Sequence, residues 1–206
     1  YPDVGGTWFL PRCPGKLGTY LALTGSRLKT ADILYIGMAT HVVPSDKLEA
    51  LKAELSGVKT AADVKAVLDG FHQDPGPAPL AERRALIDGL FAHDTFPALW
   101  SALTHSPDPW AAEVAAALKH KSPSAVKTTF EQMKRGAALS YDACMKLEFR
   151  LSMNVTRGHD FYEGVRSVIV DKDNKPRWQP ATLDAVTDDE VQGQFGPTPW
   201  GELEFE

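Results

Sequence analysis

Apolar residues recur at three- and four-residue intervals along most of this chain, the spacing that gathers them on one face of an α-helix. A short helical turn is expected over 7–12, stopped by Pro14-Gly15, and a helix over 16–23 ended by Gly25. Thr30 reads as an N-cap for 31–37. Residues 39–44, with His41-Val42-Val43 before Pro44, give the one expected short strand, and Ser45 restarts helix. Amphipathic helices follow over 46–55, 60–71, 80–92, 95–104 and 108–120, punctuated by Asp74-Pro75-Gly76-Pro77. Ser122 ahead of Pro123 marks a helix start, running to about Arg135. A second long helix spans about Ser140 to Val155. Its apolar positions Cys144, Leu147, Leu151 and Val155 form a buried stripe, with Glu148 and Arg150 flanking it in expected ion pairs. Asp160 is expected to cap a helix through about Val170, and Lys175-Pro176-Arg177-Trp178-Gln179-Pro180 to end the regular structure before an acidic tail.

Composition narrows the function classes. With 206 residues and 43% hydrophobic content the chain can bury a sizeable core. A formal charge of −5, with no basic stripe, argues against nucleic-acid binding. Cys13 and Cys144 lie far apart with no CxxC spacing, so neither a disulfide framework nor a zinc site is indicated. No apolar run approaches the roughly 18 residues that span a bilayer, so no membrane segment is expected. Internal repeats are absent, which favours one largely helical unit.

The candidate chemistry clusters at the start. In Tyr1-Pro2-Asp3-Val4-Gly5-Gly6-Thr7, a carboxylate sits on a Pro/Gly turn before a helix. Pro-Asp-x-Gly is also ordinary turn chemistry, so Asp3 alone does not separate a reactive group from a structural one. Gly5-Gly6 lacks a Walker pattern and is read as conformational. The six histidines share no ligand spacing, and no metal ligand set is assigned. His159, beside Asp160, is expected to hydrogen-bond at a helix start rather than act as a base. Cys144 lies on the buried stripe and is expected to be inert.

Three segments carry a resemblance: the opening turn with Phe9-Leu10-Pro11-Arg12, then Leu21-Ala22-Leu23-Thr24-Gly25, then Gly37-Met38-Ala39-Thr40-His41-Val42-Val43. Together they resemble the second half of the crotonase (enoyl-CoA hydratase/isomerase) core. Near the other end, Arg157-Gly158-His159-Asp160-Phe161-Tyr162-Glu163-Gly164-Val165-Arg166, continuing through Asp171-Lys172-Asp173 to Pro176-Arg177-Trp178, resembles the 3-hydroxyisobutyryl-CoA hydrolase branch of that superfamily. The resemblance covers essentially the whole chain, with 56–119 matching only in helical character.

The resemblance implies an α/β fold, the ββα spiral, of which this chain supplies the mostly α-helical C-terminal part with one or few short strands. Residues 1–55 would complete the core and its active-site loop. Residues 56–206 would form a helical region closing an acyl-CoA site. Since the chain opens without Met inside what resembles an active-site loop, it is expected to be part of a longer protein. The two backbone N–H groups that bind the thioester oxygen, and a Glu acting as nucleophile or general base, would lie upstream. The implied activity is hydrolysis of a short 3-hydroxyacyl-CoA thioester in valine breakdown, with these residues inactive alone. Asp3 matches the second acidic position and would orient water or the substrate hydroxyl. Val4, Gly5 and Trp8 would line the acyl pocket, and Phe161 and Lys172 would meet coenzyme A, although Asp171 occupies the position where a Lys is expected. No cofactor is implied, because coenzyme A belongs to the substrate; a homo-oligomer remains compatible. The compartment would be the cytoplasm in a bacterium or the mitochondrial matrix in a eukaryote. An enoyl-CoA hydratase or isomerase is the competing enzyme, and a noncatalytic helical assembly domain is the alternative of another class.

Overall fold

The computed structural model describes residues 1–205, which fold as two compact units: Tyr1–Ser26 with the chain from Leu86 onward, and Arg27–Ala85. The first unit opens with the one-turn helix α1 (Gly6–Phe9), a 3₁₀ turn (Leu10–Arg12) and α2 (Leu17–Thr24). Gly25, at φ 63°, closes α2 with its N–H on the Leu21 carbonyl, as the sequence predicts. Gly18 lets α2 pass over the preceding turn. A Cβ there would lie 1.6 Å from the Leu10 carbonyl oxygen.

The second unit holds α3 (Thr30–Tyr35), α4 (Leu48–Gly57), α5 (Ala61–Phe71) and α6 (Pro79–Glu82). Buried Asp32 ties it together, its carboxylate accepting the backbone N–H of Lys29 at 3.2 Å and of Leu80 at 2.8 Å. Lys29, not Thr30, is the residue before α3. The strand expected over 39–44 does not form, and there is no strand among the described residues. Val42 instead donates to His72 Nδ1 at 2.9 Å and accepts from the Gln73 N–H at 2.8 Å, while His41 Nε2 meets Asp69 at 2.9 Å. A β-branched run becomes a strand only against a neighbouring strand, and here its polar backbone is spent on a loop.

The chain continues through α7 (Arg84–Phe91), α8 (Phe96–His105), α9 (Pro109–Lys119), α10 (Pro123–Ala138) and α11 (Tyr141–Val155). The expected helix over 80–92 is thus divided at Arg83 between α6 and α7. Thr95, Asp108, Ser122 and Ser140 each cap a helix by accepting a backbone N–H of its first turn. Ile87, Phe91, Leu99, Leu103 and Leu118 are fully buried, each worth about 1.5–3 kcal/mol of transfer free energy. Burial pushes the Cys13 thiol up to about 11 and raises Cys144 as well, in line with inert packing residues.

The helical run expected from Asp160 reaches Val170, but Gly158 and not Asp160 is the residue before it, and it changes type on the way. α12 (His159–Val165) passes into a π turn (Arg166–Val170), closed by Asp171 N–H on the Arg166 carbonyl at 2.8 Å. Regular structure also does not end at Pro180. α13 (Asp188–Gly193) follows, opened by a capping box between Thr187 and Glu190. Thr187-Asp188-Asp189-Glu190 is the sequence signature of that box, and the following apolar pair Val191 and Phe195 packs with Val186 on Leu147 and Leu151 of the α11 stripe.

Candidate active site

The opening turn is built from backbone geometry and held by two helices more than a hundred residues away. Gly6 N–H donates to the Asp3 carbonyl at 2.8 Å, with Val4 at φ 45° and Gly5 at φ 92°, ψ 0°. Two successive left-handed residues inside an i to i+3 bond match a type I′ turn. Gly5 adopts this at no cost, but Val4, β-branched and 96% exposed, does not. The strain is held in place by Glu148 of α11. Its side chain is only 6% exposed, and its carboxylate accepts Gly5 N–H at 2.9 Å and Thr7 N–H at 2.8 Å.

From α10, Gln132 Nε2 donates to the Pro2 carbonyl and to Thr7 Oγ1, both at 2.6 Å. Gly136 lets that helix touch α1, since a Cβ there would lie 2.1 Å from the Thr7 carbonyl oxygen. Tyr1 donates its hydroxyl to Ser152 Oγ at 3.0 Å. Arg12 reaches back to the end of α10, donating to the carbonyls of Gly136 at 3.1 Å and Leu139 at 2.7 Å.

Asp3 is exposed and lines a cavity of about 620 Å³. Opposite it are the start of α10, α12, the Trp178–Pro180 segment and α13, with Phe161, His159, Lys121 and Glu190 among the lining residues. The wall is fastened by carboxylates. Asp160 accepts Ser122 Oγ–H at 2.5 Å and Gln179 N–H at 2.8 Å, and lies 3.1 Å from His159 Nδ1. Glu163 makes a two-pronged pair with Arg166 and accepts Arg177 N–H at 2.7 Å. The Arg166 guanidinium, then the Arg177 N–H, hold the Glu163 carboxyl down at about 2. Arg166 also binds Asp171 at 2.6 Å and Asp173 at 2.8 Å. Trp178 Nε1–H donates to the His120 carbonyl at 3.1 Å.

Of the residues singled out in the sequence, Asp3 and Phe161 meet on this cavity. Phe161 is 41% exposed and belongs to the cavity wall, not the core. Val4, Gly5, Trp8 and Lys172 lie outside the lining. Trp8 packs edge-on against Tyr141 at 6.0 Å with the Arg12 guanidinium 4.5 Å over its ring, a packing role. Lys172 is exposed at φ 56°. Arg150 forms its expected ion pair, with Glu202 at 2.8 Å. Glu148 does not, since it is occupied by backbone amides. Its place on the edge of an apolar stripe gave no sign of this; the capping box at Thr187 was a legible signal for α13.

The enoyl-CoA hydratase/isomerase family model matches residues 1–195. The chain is 42% identical over 202 residues to the mitochondrial 3-hydroxyisobutyryl-CoA hydrolase of Xenopus laevis, covering 95% of this chain and 52% of the relative. It is 36% identical to the human enzyme of that name, covering 100% and 55%. It therefore spans about half the length of the curated relatives it matches. Among solved structures, a carnitinyl-CoA dehydratase from Mycobacterium thermoresistibile superposes with TM-score 0.85 at 38% identity, over 97% of this chain and 57% of that one. An enoyl-CoA hydratase from Rhodobacter sphaeroides 2.4.1 gives TM-score 0.85 at 33% identity, over 99% and 58%. Matched by the family model over nearly its full length and by crotonase-fold neighbours in three dimensions, the chain belongs to the enoyl-CoA hydratase/isomerase family.

Proposed function

We propose that the protein containing this chain hydrolyses 3-hydroxyisobutyryl-CoA, or a close short 3-hydroxyacyl-CoA, to the free acid and coenzyme A, a step of valine breakdown. The observation that carries this reading is that Asp3 lines the same cavity as the 157–180 segment, whose sequence resembles the hydrolase branch. The similarity to enzymes named 3-hydroxyisobutyryl-CoA hydrolase supports it. Thioester hydrolysis needs donors for the developing oxyanion and a group that activates or replaces water. In this reading the donors and a Glu are supplied by residues preceding Tyr1. Asp3 orients water or the substrate hydroxyl, and Phe161 contacts the coenzyme A portion. Residues 1–55 would complete the core and 56–206 close the site. No cofactor is required. The compartment would be the mitochondrial matrix in a eukaryote, as in the relatives' names, or the cytoplasm in a bacterium. No helix among the described residues is long and apolar enough to cross a membrane.

The test uses the full-length protein with 3-hydroxyisobutyryl-CoA and, separately, crotonyl-CoA. Release of the coenzyme A thiol, lowered roughly 100-fold or more by Asp3→Asn, is the expected result. Hydration of crotonyl-CoA without thiol release would assign the protein to the hydratases, the activity named for the Rhodobacter neighbour.

A further inference from the structure

We infer that Glu148 is a positioning residue for the reaction: from the far helix α11 it holds Asp3 at its working place by clamping the strained turn on which Asp3 sits. The inference rests on the hydrolase reading above and adds to it a residue that touches no reacting group.

A β-branched residue at φ 45° is disfavoured, and nothing buried compensates, since the Val4 side chain is almost wholly in water. A type I′ turn beginning Asp3-Val4 would not persist by local preference. It persists because the N–H groups of Gly5 and Thr7, on either side of the Gly6 closure, are both fixed to one carboxylate. That carboxylate is buried, so both bonds act in a low-dielectric setting with little competition from water. Glu148 itself is fixed within α11, against which α1 packs. Moving the turn would leave a buried charge and two amides short of partners, a costly arrangement.

Among the described residues the Asp3 side chain, in contrast, makes no hydrogen bond or ion pair, and it depends on its backbone for position. A small misplacement of a group acting on a reacting atom can cost 10- to 100-fold in rate. Glu148 therefore transmits the rigidity of α11 to the carboxylate.

A double-mutant cycle in the full-length protein separates positioning from plain stability, with turnover measured well below each variant's melting temperature. Glu148→Gln keeps the side-chain volume but turns an NH₂ toward one of the two amides. It is expected to lower kcat by roughly 10- to 100-fold while KM changes less than about threefold. In the Asp3→Asn background the same change should cost less than about threefold, because the group it positions is already disabled. Multiplying losses in the double variant, or unchanged kcat in Glu148→Gln alone, would overturn the inference. If Glu148→Gln does not accumulate as folded protein, Glu148→Asp goes through the same cycle. It keeps the charge, but its shorter arm cannot preserve both bonds. Absence of thiol release in the parent protein would sink the hydrolase reading itself, whereas hydrolysis that survives Asp3→Asn would remove the role of Asp3 and overturn the clamp with it.

Discussion

Glu163 and Arg177 are joined by one hydrogen bond, from the Arg177 backbone N–H to Glu163 Oε1 at 2.7 Å, which brings the chain beyond the π turn back onto α12. Three residues earlier, Asp160 holds Gln179 in the same way. The two acidic residues that mark this segment in the sequence therefore act as fasteners of the cavity wall.

Acid should loosen that wall through Glu163. Its folded-state pKa lies at about 2 against 4.5 when free, so the folded state binds fewer protons. The contribution is present in full above about pH 4.5 and is lost as pH falls toward about 2. Glu163→Gln should give urea midpoints that change less over that window than the parent's, and faster hydrogen exchange at the Arg177 amide. Parallel midpoint curves would rule this out.

Gly136→Ala should destabilise the protein, because the added Cβ meets the Thr7 carbonyl oxygen at 2.1 Å and Thr7 Cγ2 at 2.9 Å. Overpacking of this kind costs about 1–3 kcal/mol, readable as a lower urea midpoint at constant slope. Since the displaced backbone follows the Asp3 turn, turnover of the full-length enzyme should fall as well.

Val4→Gly should do the opposite to stability. The native φ of 45° suits glycine, and the exposed Val4 side chain buries little that could be lost. Relief of left-handed strain, about 1–2 kcal/mol, outweighs the 0.5–1 kcal/mol of extra chain entropy that glycine loses on folding, roughly estimated. A net gain of up to about 1 kcal/mol is expected in chemical denaturation; a loss would mean that the turn is not strained at Val4.

Phe161→Leu should move binding more than stability. The ring lines the cavity, stands 41% exposed and has Tyr162 edge-on at 5.5 Å. In the full-length enzyme the KM for the acyl-CoA should rise several-fold while the melting temperature shifts by no more than about 2 °C. A change confined to melting would return Phe161 to the packing residues.

Local rules made much of the helical framework legible. Ser122 before Pro123 and Gly25 after α2 act within a few residues of themselves, so their roles follow from neighbours along the chain. Periodicity likewise located the buried face of α11, with Cys144, Leu147 and Leu151 on it. What periodicity reports is a face, not its partner. That Glu148 would serve Gly5 and Thr7, or Gln132 serve Pro2, depended on packing between segments 125–143 residues apart. The same holds for 39–44, where β-branched residues suggested a strand but no neighbouring strand accepts their backbone. Asp3 was noticed from its turn, and that the turn is held by a buried carboxylate on another helix was decided only by the tertiary structure, because a hydrogen-bond partner is chosen by proximity in space and leaves no trace in spacing along the chain.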